Sequence, residues 1–303
     1  LRTPRRKIDY AQAVKSAAQR RLAASIAASG ALLAIEIVGA LVARSLALLA
    51  DAGHVLADVA ALTLSYIAVR FAARSASPRH TFGLYRAEIL AAFINAQGLL
   101  LVSGAILFEA YRRLRTPHAI APIPMLAFGL LSLAGNLFAV RFLHEHRHDN
   151  LNMRGAYLEV AFDALASGSV VAGALAIAVT GRTWIDPALS AAIAVLIVPR
   201  TVSLLRQSAH ILLEGAPAEI DQKDLIGLVE AVPGVCAVHD LHVWTLTSGV
   251  HYASLHVTIF PDADPSSTLR NVEECLRDKK KIEHSTIQIE ARRTEECAVS
   301  PRH

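Results

Sequence analysis

The sequence predicts a six-helix membrane bundle followed by a small α+β domain. Three observations carry this prediction. Apolar residues make up 53% of the 303-residue chain, and mean hydropathy is +0.40, which is high for a water-soluble protein. The apolar excess lies before about residue 208, in six runs each long enough to cross a bilayer. After Glu214 the pattern turns to short alternating runs rich in β-branched residues, framed by amphipathic stretches.

The elements follow in order. Residues 1–21 carry Arg2, Arg5, Arg6, Lys7, Arg20 and Arg21 and read as a basic arm, disordered or lying on the membrane surface. The first span runs from about Leu22 to Val42, interrupted only by Glu36. Arg44 and Ser45 form a very short turn into the second span, Leu46 to Phe71. Pro78 and Gly83 break the loop that follows. The third span covers Ala87 to Tyr111, and a proline-punctuated connector leads to the fourth, Met125 to Leu143. The fifth runs from Met153 to Val179. Asp186 and Pro187 are expected to open the sixth as N-cap and first-turn proline, and it ends near Leu205. Beyond it come a helix (Ala218–Ala231), two strands joined as a hairpin (Val238–Leu246, Tyr252–Phe260), a second helix (Asp264–Lys280) and a last strand (Ser285–Glu290). The order is αββαβ, a small sheet with helices on one face.

Six spans place both termini on one side. The basic arm and the basic loops at 74–86 and 141–154 assign that side to the cytoplasm, although Arg112, Arg113 and Arg115 then face outward. The Ala- and Arg-rich composition, with no signal-peptide pattern in LRTPRRKIDY, suggests a bacterial inner membrane. The net charge of +4 comes from 30 basic and 26 acidic residues, and the basic groups cluster at the N-terminus and near helix ends. That fits orientation and contact with anionic lipid, and no nucleic-acid motif is present. Three cysteines without a CxxC pair read as thiols of a reduced tail.

The chemistry is concentrated in SLALLADAGHVLADV, at the start of the second span. Asp51, His54 and Asp58 are spaced by three and four residues and share one helix face. The fifth span offers Glu159 and Asp163, again four apart. A lone buried carboxylate can be satisfied by an arginine or a helix end. Two matched pairs on separate spans are hard to explain that way, and together they supply the four ligands that a zinc-type ion takes. Such ligands shed protons to bind metal and regain them on release, so exposing the site alternately to two sides exchanges metal for protons. Asp51 lies one turn from His54 and reads as a support or an entrance group rather than a ligand. Glu36 and Glu109 read as partners of nearby arginines or as interfacial groups, and Asn95, Gln97 and Asn136 as hydrogen bonds between helices.

LALLADAGHVLAD, FGLYRAEILAAFINA, LNMRGAYLEVAFDALASGSV, WIDPALS, ILLEGAP, VHDLHVWTLTSG and HSTIQIE, in this order between about residues 22 and 291, resemble the cation diffusion facilitators, in their zinc transporter branch. The resemblance implies a homodimeric metal/proton antiporter with six transmembrane helices and a cytoplasmic, metallochaperone-like (ferredoxin-like) domain. Its divisions would be an arm (1–21), a membrane domain (22–207), a cytoplasmic regulatory and dimerisation domain (208–291) and a tail (292–303). It implies a transport site at His54, Asp58, Glu159 and Asp163, and a structural charge pair between Arg86 and Glu214. Many members carry His at the position of Glu159, so metal choice is where this chain departs. Of a second site in the loop before the third span only His80 is retained, so that site is expected to be absent or weak. In the last domain His239 and His256 fall where relatives hold cytoplasmic metal, with His284 and Glu290 as further ligands and Gln288 a weak one.

His144, His146 and His148 alternate in the loop after the fourth span and read either as metal collectors or as a solvated polar loop. The function expected is efflux of Zn²⁺, with Cd²⁺ and Co²⁺ behind it, against protons, by a lipid-embedded homodimer that is not an enzyme and binds no nucleic acid. A membrane metal sensor of the same fold is the alternative. Less favoured is a membrane metallohydrolase, which needs an open metal position and lacks HExxH here. Metal flux under an imposed pH gradient separates the three.

Overall fold

The computed structural model describes residues 4–72, 78–144, 151–247 and 249–291. The chain divides into two compact units, one built on residues 1–73 and 91–205 and the other on 74–90 and 206–303.

The first unit holds the long helices. They are α1 (Pro4–Ala43), α2 (Leu46–Ala72), α3 (Arg86–Arg115), α4 (Pro122–His144), α5 (Leu151–Thr180) and α6 (Ile185–Leu212), with the ends of α3 and α6 running into the second unit. Each of the six contains a stretch long and apolar enough to span a membrane. The arm is helical from Pro4 onward and continues straight into the first span. A single residue in the left-handed region, Arg44 at φ 55°, turns the chain from α1 into α2.

Small side chains let the helices close on one another. The core packs Ala40, Ala43, Ala47 and Ala50 against Met125, Val170 and Ala174. A Cβ on Gly39 would lie 2.6 Å from Phe128, so α1 and α4 meet there with no room for a side chain. Asp186 does not act as the N-cap of α6 that the sequence suggested. It sits inside that helix, fully buried, and its carboxylate accepts from Leu46 N at 2.8 Å, Ala47 N at 3.2 Å and Ser45 Oγ at 2.5 Å. Asp186 therefore caps α2, whose first amides have no partner within their own helix. Arg113 pairs with Glu109 at 3.1 Å, donates to Arg44 O at 2.8 Å and approaches Asp186 to 3.8 Å. At least one of the three arginines that oppose the charge rule is thus engaged in structure.

The second unit has α7 (Gln222–Glu230), β1 (Val235–Thr247), β2 (Val250–Ile259), α8 (Pro265–Lys280) and β3 (Ile282–Ala291), the αββαβ order expected. The sheet order is β1-β2-β3, antiparallel between β1 and β2 and parallel between β2 and β3, so α8 is the crossover that a parallel pair requires. Gly249, at φ 74°, sits in the hairpin turn. Val229, Leu225, Val257, Ile259, Val272 and Leu276 fill the core between helices and sheet. Asp221 caps α7 and Asp264 caps α8, ahead of Pro265 in the first turn. The backbone N–H groups of Asp224 and Lys223 hold the Asp221 carboxyl below its usual value, and Ser267 does the same for Asp264. Among the described residues, Cys275 is a free, partly buried thiol.

Candidate metal centres

Two groups of donors gather among the described residues. The first lies in the helical unit. Heptad-like spacing on α2 turns His54 and Asp58 to one side, and α5 brings Asp163 across to meet them. One ligand atom from each falls within 4.8 Å of the others. His54 Nε2 is 2.9 Å from Asp163 Oδ1 and 3.9 Å from Asp58 Oδ2. With Asp163 ionised, the carboxylate accepts and Nε2 is the donor of the closer contact. His54 Nδ1 is buried without a hydrogen-bond partner among the described residues. Glu159 lies on α5 one turn before Asp163, but its side chain is outside the described residues. On α3, Asn95 donates to Ala57 O at 3.2 Å and ties that helix to the stretch of α2 that carries His54 and Asp58.

Asp51 does not join this group of donors. It is 1% exposed and accepts from Ser167 Oγ at 2.9 Å. Glu36, read from sequence as an arginine partner or an interfacial group, is instead fully buried and bonded to Ser132 at 2.5 Å. Hydropathy patterns treat serine as neutral, so neither Ser132 nor Ser167 gave a signal. Glu109 does pair with arginines, Arg112 at 3.2 Å and Arg113 at 3.1 Å.

The second group lies on the sheet. His239 and His256 are directly opposite on β1 and β2. Glu290 stands on β3 beside Thr258, on the face that also carries Gln288 opposite His256. Glu290 Oε2 is 3.0 Å from His239 Nε2, and Glu290 Oε1 is 3.0 Å from His256 Nδ1. Burial works to raise the Glu290 carboxyl, but hydrogen bonds from His239 and Gln288, with the nearby imidazoles, hold it below its ordinary value. His284 is not in the group: its ring packs against Tyr252 with centroids 4.7 Å apart. Asp240 was missed in the sequence. At φ 50° it forms an irregularity in β1 that places Oδ2 3.7 Å from His256 Nε2 and Oδ1 2.9 Å from His242 Nε2. The HDLH string was the available signal, but strict alternation would have pointed Asp240 to the other face.

Arg86 and Glu214 meet at 2.9 Å, with Glu214 at φ 61°. Both are partly exposed, so the pair positions chain more than it stabilises it. Of the alternating histidines, His144 lies edge-on to Tyr157 at 5.7 Å, while His146 and His148 lie outside the described residues.

Six helices long and apolar enough to span a membrane, with a partly buried ionisable cluster among them, and the family match define an integral, multi-pass membrane protein of the transporter class, not an enzyme. A family model for the cation efflux transmembrane domain matches residues 22–213, and one for the cation efflux protein cytoplasmic domain matches 217–292. The chain therefore belongs to the cation efflux family, the cation diffusion facilitators. It is 41% identical over 273 residues to the metal cation efflux system protein CzcD of Cupriavidus metallidurans, covering 90% of this chain and 86% of that one. It is 39% identical over 261 residues to the cadmium, cobalt and zinc/H(+)-K(+) antiporter of Bacillus velezensis, covering 84% and 83%. It is 38% identical over 287 residues to the zinc transporter ZitB of Pectobacterium atrosepticum, covering 93% and 88%.

Proposed function

We propose that this protein is a proton-coupled antiporter that exports divalent metal, Zn²⁺ first and Cd²⁺ and Co²⁺ behind it, from the cytoplasm by alternating access in a homodimer. The observation that carries the reading is the 2.9 Å contact between His54 Nε2 and Asp163, with Asp58 alongside. The imidazole atom best placed to take a metal already holds a proton against a carboxylate. Metal can enter only as that proton leaves, and departure of the metal lets a proton return. Glu159 completes the ligand set in this reading as a fourth donor, giving one imidazole and three carboxylates. Asp51 supports the site and is not a ligand. The names of the three relatives, which speak of metal efflux, of cadmium, cobalt and zinc, and of zinc, agree with the substrate class.

The cytoplasmic domain, residues 208–291 in this reading, dimerises and senses metal through His239, His256 and Glu290. Both termini face the cytoplasm, and the bacterial relatives favour an inner membrane. The deciding experiment is transport into proteoliposomes that contain a zinc-sensitive dye, under an imposed pH gradient. Wild type accumulates zinc when the gradient is present and not when it is collapsed, and Asp58→Ala and Asp163→Ala accumulate it in neither condition. Zinc uptake by either variant at the wild-type rate would overturn the assignment.

A further inference from the structure

Four helices contribute to a second buried polar cluster, separate from the donors of the transport site. Glu36 of α1, Ser132 of α4, Ser167 of α5 and Asp51 of α2 form a continuous chain. Glu36 Oε1 is 2.5 Å from Ser132 Oγ, Ser132 Oγ is 3.0 Å from Ser167 Oγ, and Ser167 Oγ is 2.9 Å from Asp51 Oδ2. All four side chains are at most 1% exposed. Asn136 Nδ2 donates to Ser167 Oγ at 3.0 Å and holds it in place.

The chain has three oxygen–oxygen contacts, and each needs one hydrogen between its atoms. Each serine hydroxyl supplies one, so the two serines supply two. If both acids were ionised, both hydroxyl hydrogens would point outward to the carboxylates. The two serine oxygens would then face each other at 3.0 Å with nothing between them. A third hydrogen, on either carboxyl group, satisfies all three contacts at once. Glu36 Oε2 points the same way, being buried with no hydrogen-bond partner among the described residues. An unpaired oxygen there is far less costly on a neutral acid than on a carboxylate.

We propose that Glu36 and Asp51 share one proton through Ser132 and Ser167, and that this chain stores the counter-ion and hands it toward the transport site. This rests on the antiport reading above. The step conserves every atom. Glu36 gives its hydrogen to Ser132 Oγ, Ser132 gives its own to Ser167 Oγ, and Ser167 gives its own to Asp51 Oδ2. Both hydroxyls are restored, Glu36 is left a carboxylate, Asp51 becomes the acid, and no electrons move. Asn136 can donate to Ser167 in both arrangements, since that oxygen accepts one chain hydrogen in either. The delivered proton then lies one helical turn from His54. Among the described residues, the ionisable groups bearing on the chain are His54 from α2 and Asp163 from α5. The hydrogen-bonded partners from α4, Ser132 and Asn136, do not ionise.

Infrared spectroscopy of the purified full chain tests the shared proton. Wild type is expected to show a protonated-carboxyl band that shifts in D₂O. Glu36→Gln and Asp51→Asn are each expected to remove that same band, because either amide supplies the third hydrogen and leaves the remaining acid ionised. A band lost in only one variant, or in neither, overturns the shared chain. Transport tests the delivery. In the double variant Ser132→Ala, Ser167→Ala both acids remain but the connection is cut. Its pH-driven zinc flux should fall roughly a hundredfold, the lower end of what a positioned proton-transfer group contributes, with zinc affinity by equilibrium dialysis unchanged. Flux at the wild-type rate removes the chain from the proton route. If wild-type flux ignores the pH gradient, the antiport reading fails, while the infrared result still decides whether the two acids share a proton.

Discussion

His54 shows how much of a site a single ring nitrogen can decide. Its Nε2 faces both Asp58 and Asp163, so those two acids differ from the other buried carboxylates in having the imidazole as a common neighbour. Asp163→Asn keeps an oxygen for the imidazole but loses the charge. Zinc transport should drop by at least about a hundredfold, a loss no smaller than that from removing a ligand's supporting partner, as measured by dye-loaded vesicles. Glu159→His softens the donor set, and transport in mixed-metal competition should shift toward zinc over harder ions. An unchanged metal profile would count against Glu159 as a ligand. His54 and Asp58, at i and i+4, were legible because the helix period alone places them together. Ser132 and Ser167 were not, because a hydroxyl gains meaning only from what stands opposite it. Asp240 was hidden for a different reason, since its left-handed backbone breaks the alternation that sequence reading assumes.

Among the elements, α2 depends most on a distant residue. Its first turn is held by Asp186 of α6, which takes two backbone amides and a hydroxyl. Asp186→Ala leaves these donors buried and unpaired, which costs about 3 kcal/mol or more in sum, and the detergent-solubilised protein should melt at a correspondingly lower temperature. An equal melting temperature would show that another group takes over the cap. Helix α8 depends on Asp264 in a pH-dependent way. Its carboxyl is held low by Ser267, so it contributes stability above the ordinary carboxylate pKa, and that stability is lost as pH falls through the folded value. Wild type should therefore exceed Asp264→Ala in thermal stability at neutral pH and converge with it in acid, read by circular dichroism. The spans and strands themselves were legible from hydropathy and alternation, although α6 runs to Leu212, past the end near Leu205 that the sequence suggested. The role of Asp186 was not, because Asp-Pro at a helix start looks the same whether the carboxylate serves its own helix or another.

At the scale of the molecule, each unit has its own core, and that of the sheet unit is built wholly from residues 220–289. A fragment of residues 206–291 should fold cooperatively by itself. Zinc at a hundred times its Kd should add about 2.7 kcal/mol to the fragment's stability, and His239→Ala should abolish that gain in a thermal-shift titration. The two-part architecture was legible from the change of composition near residue 208. The sharing of residues 74–90 with the sheet unit was not, because contacts so far apart in sequence leave no local pattern. The cap on α2 also bears on how the chain is made. Leu46 and its partner Asp186 are 140 residues apart, so at a synthesis rate of about 5–20 residues per second α2 waits roughly ten seconds for its cap to be translated. By the end of that interval the ribosome has delivered five spans while the first turn of the second is still unsecured. A chain truncated before α6 should therefore be cleared by membrane quality control even though every residue of the proposed transport site has already been synthesised.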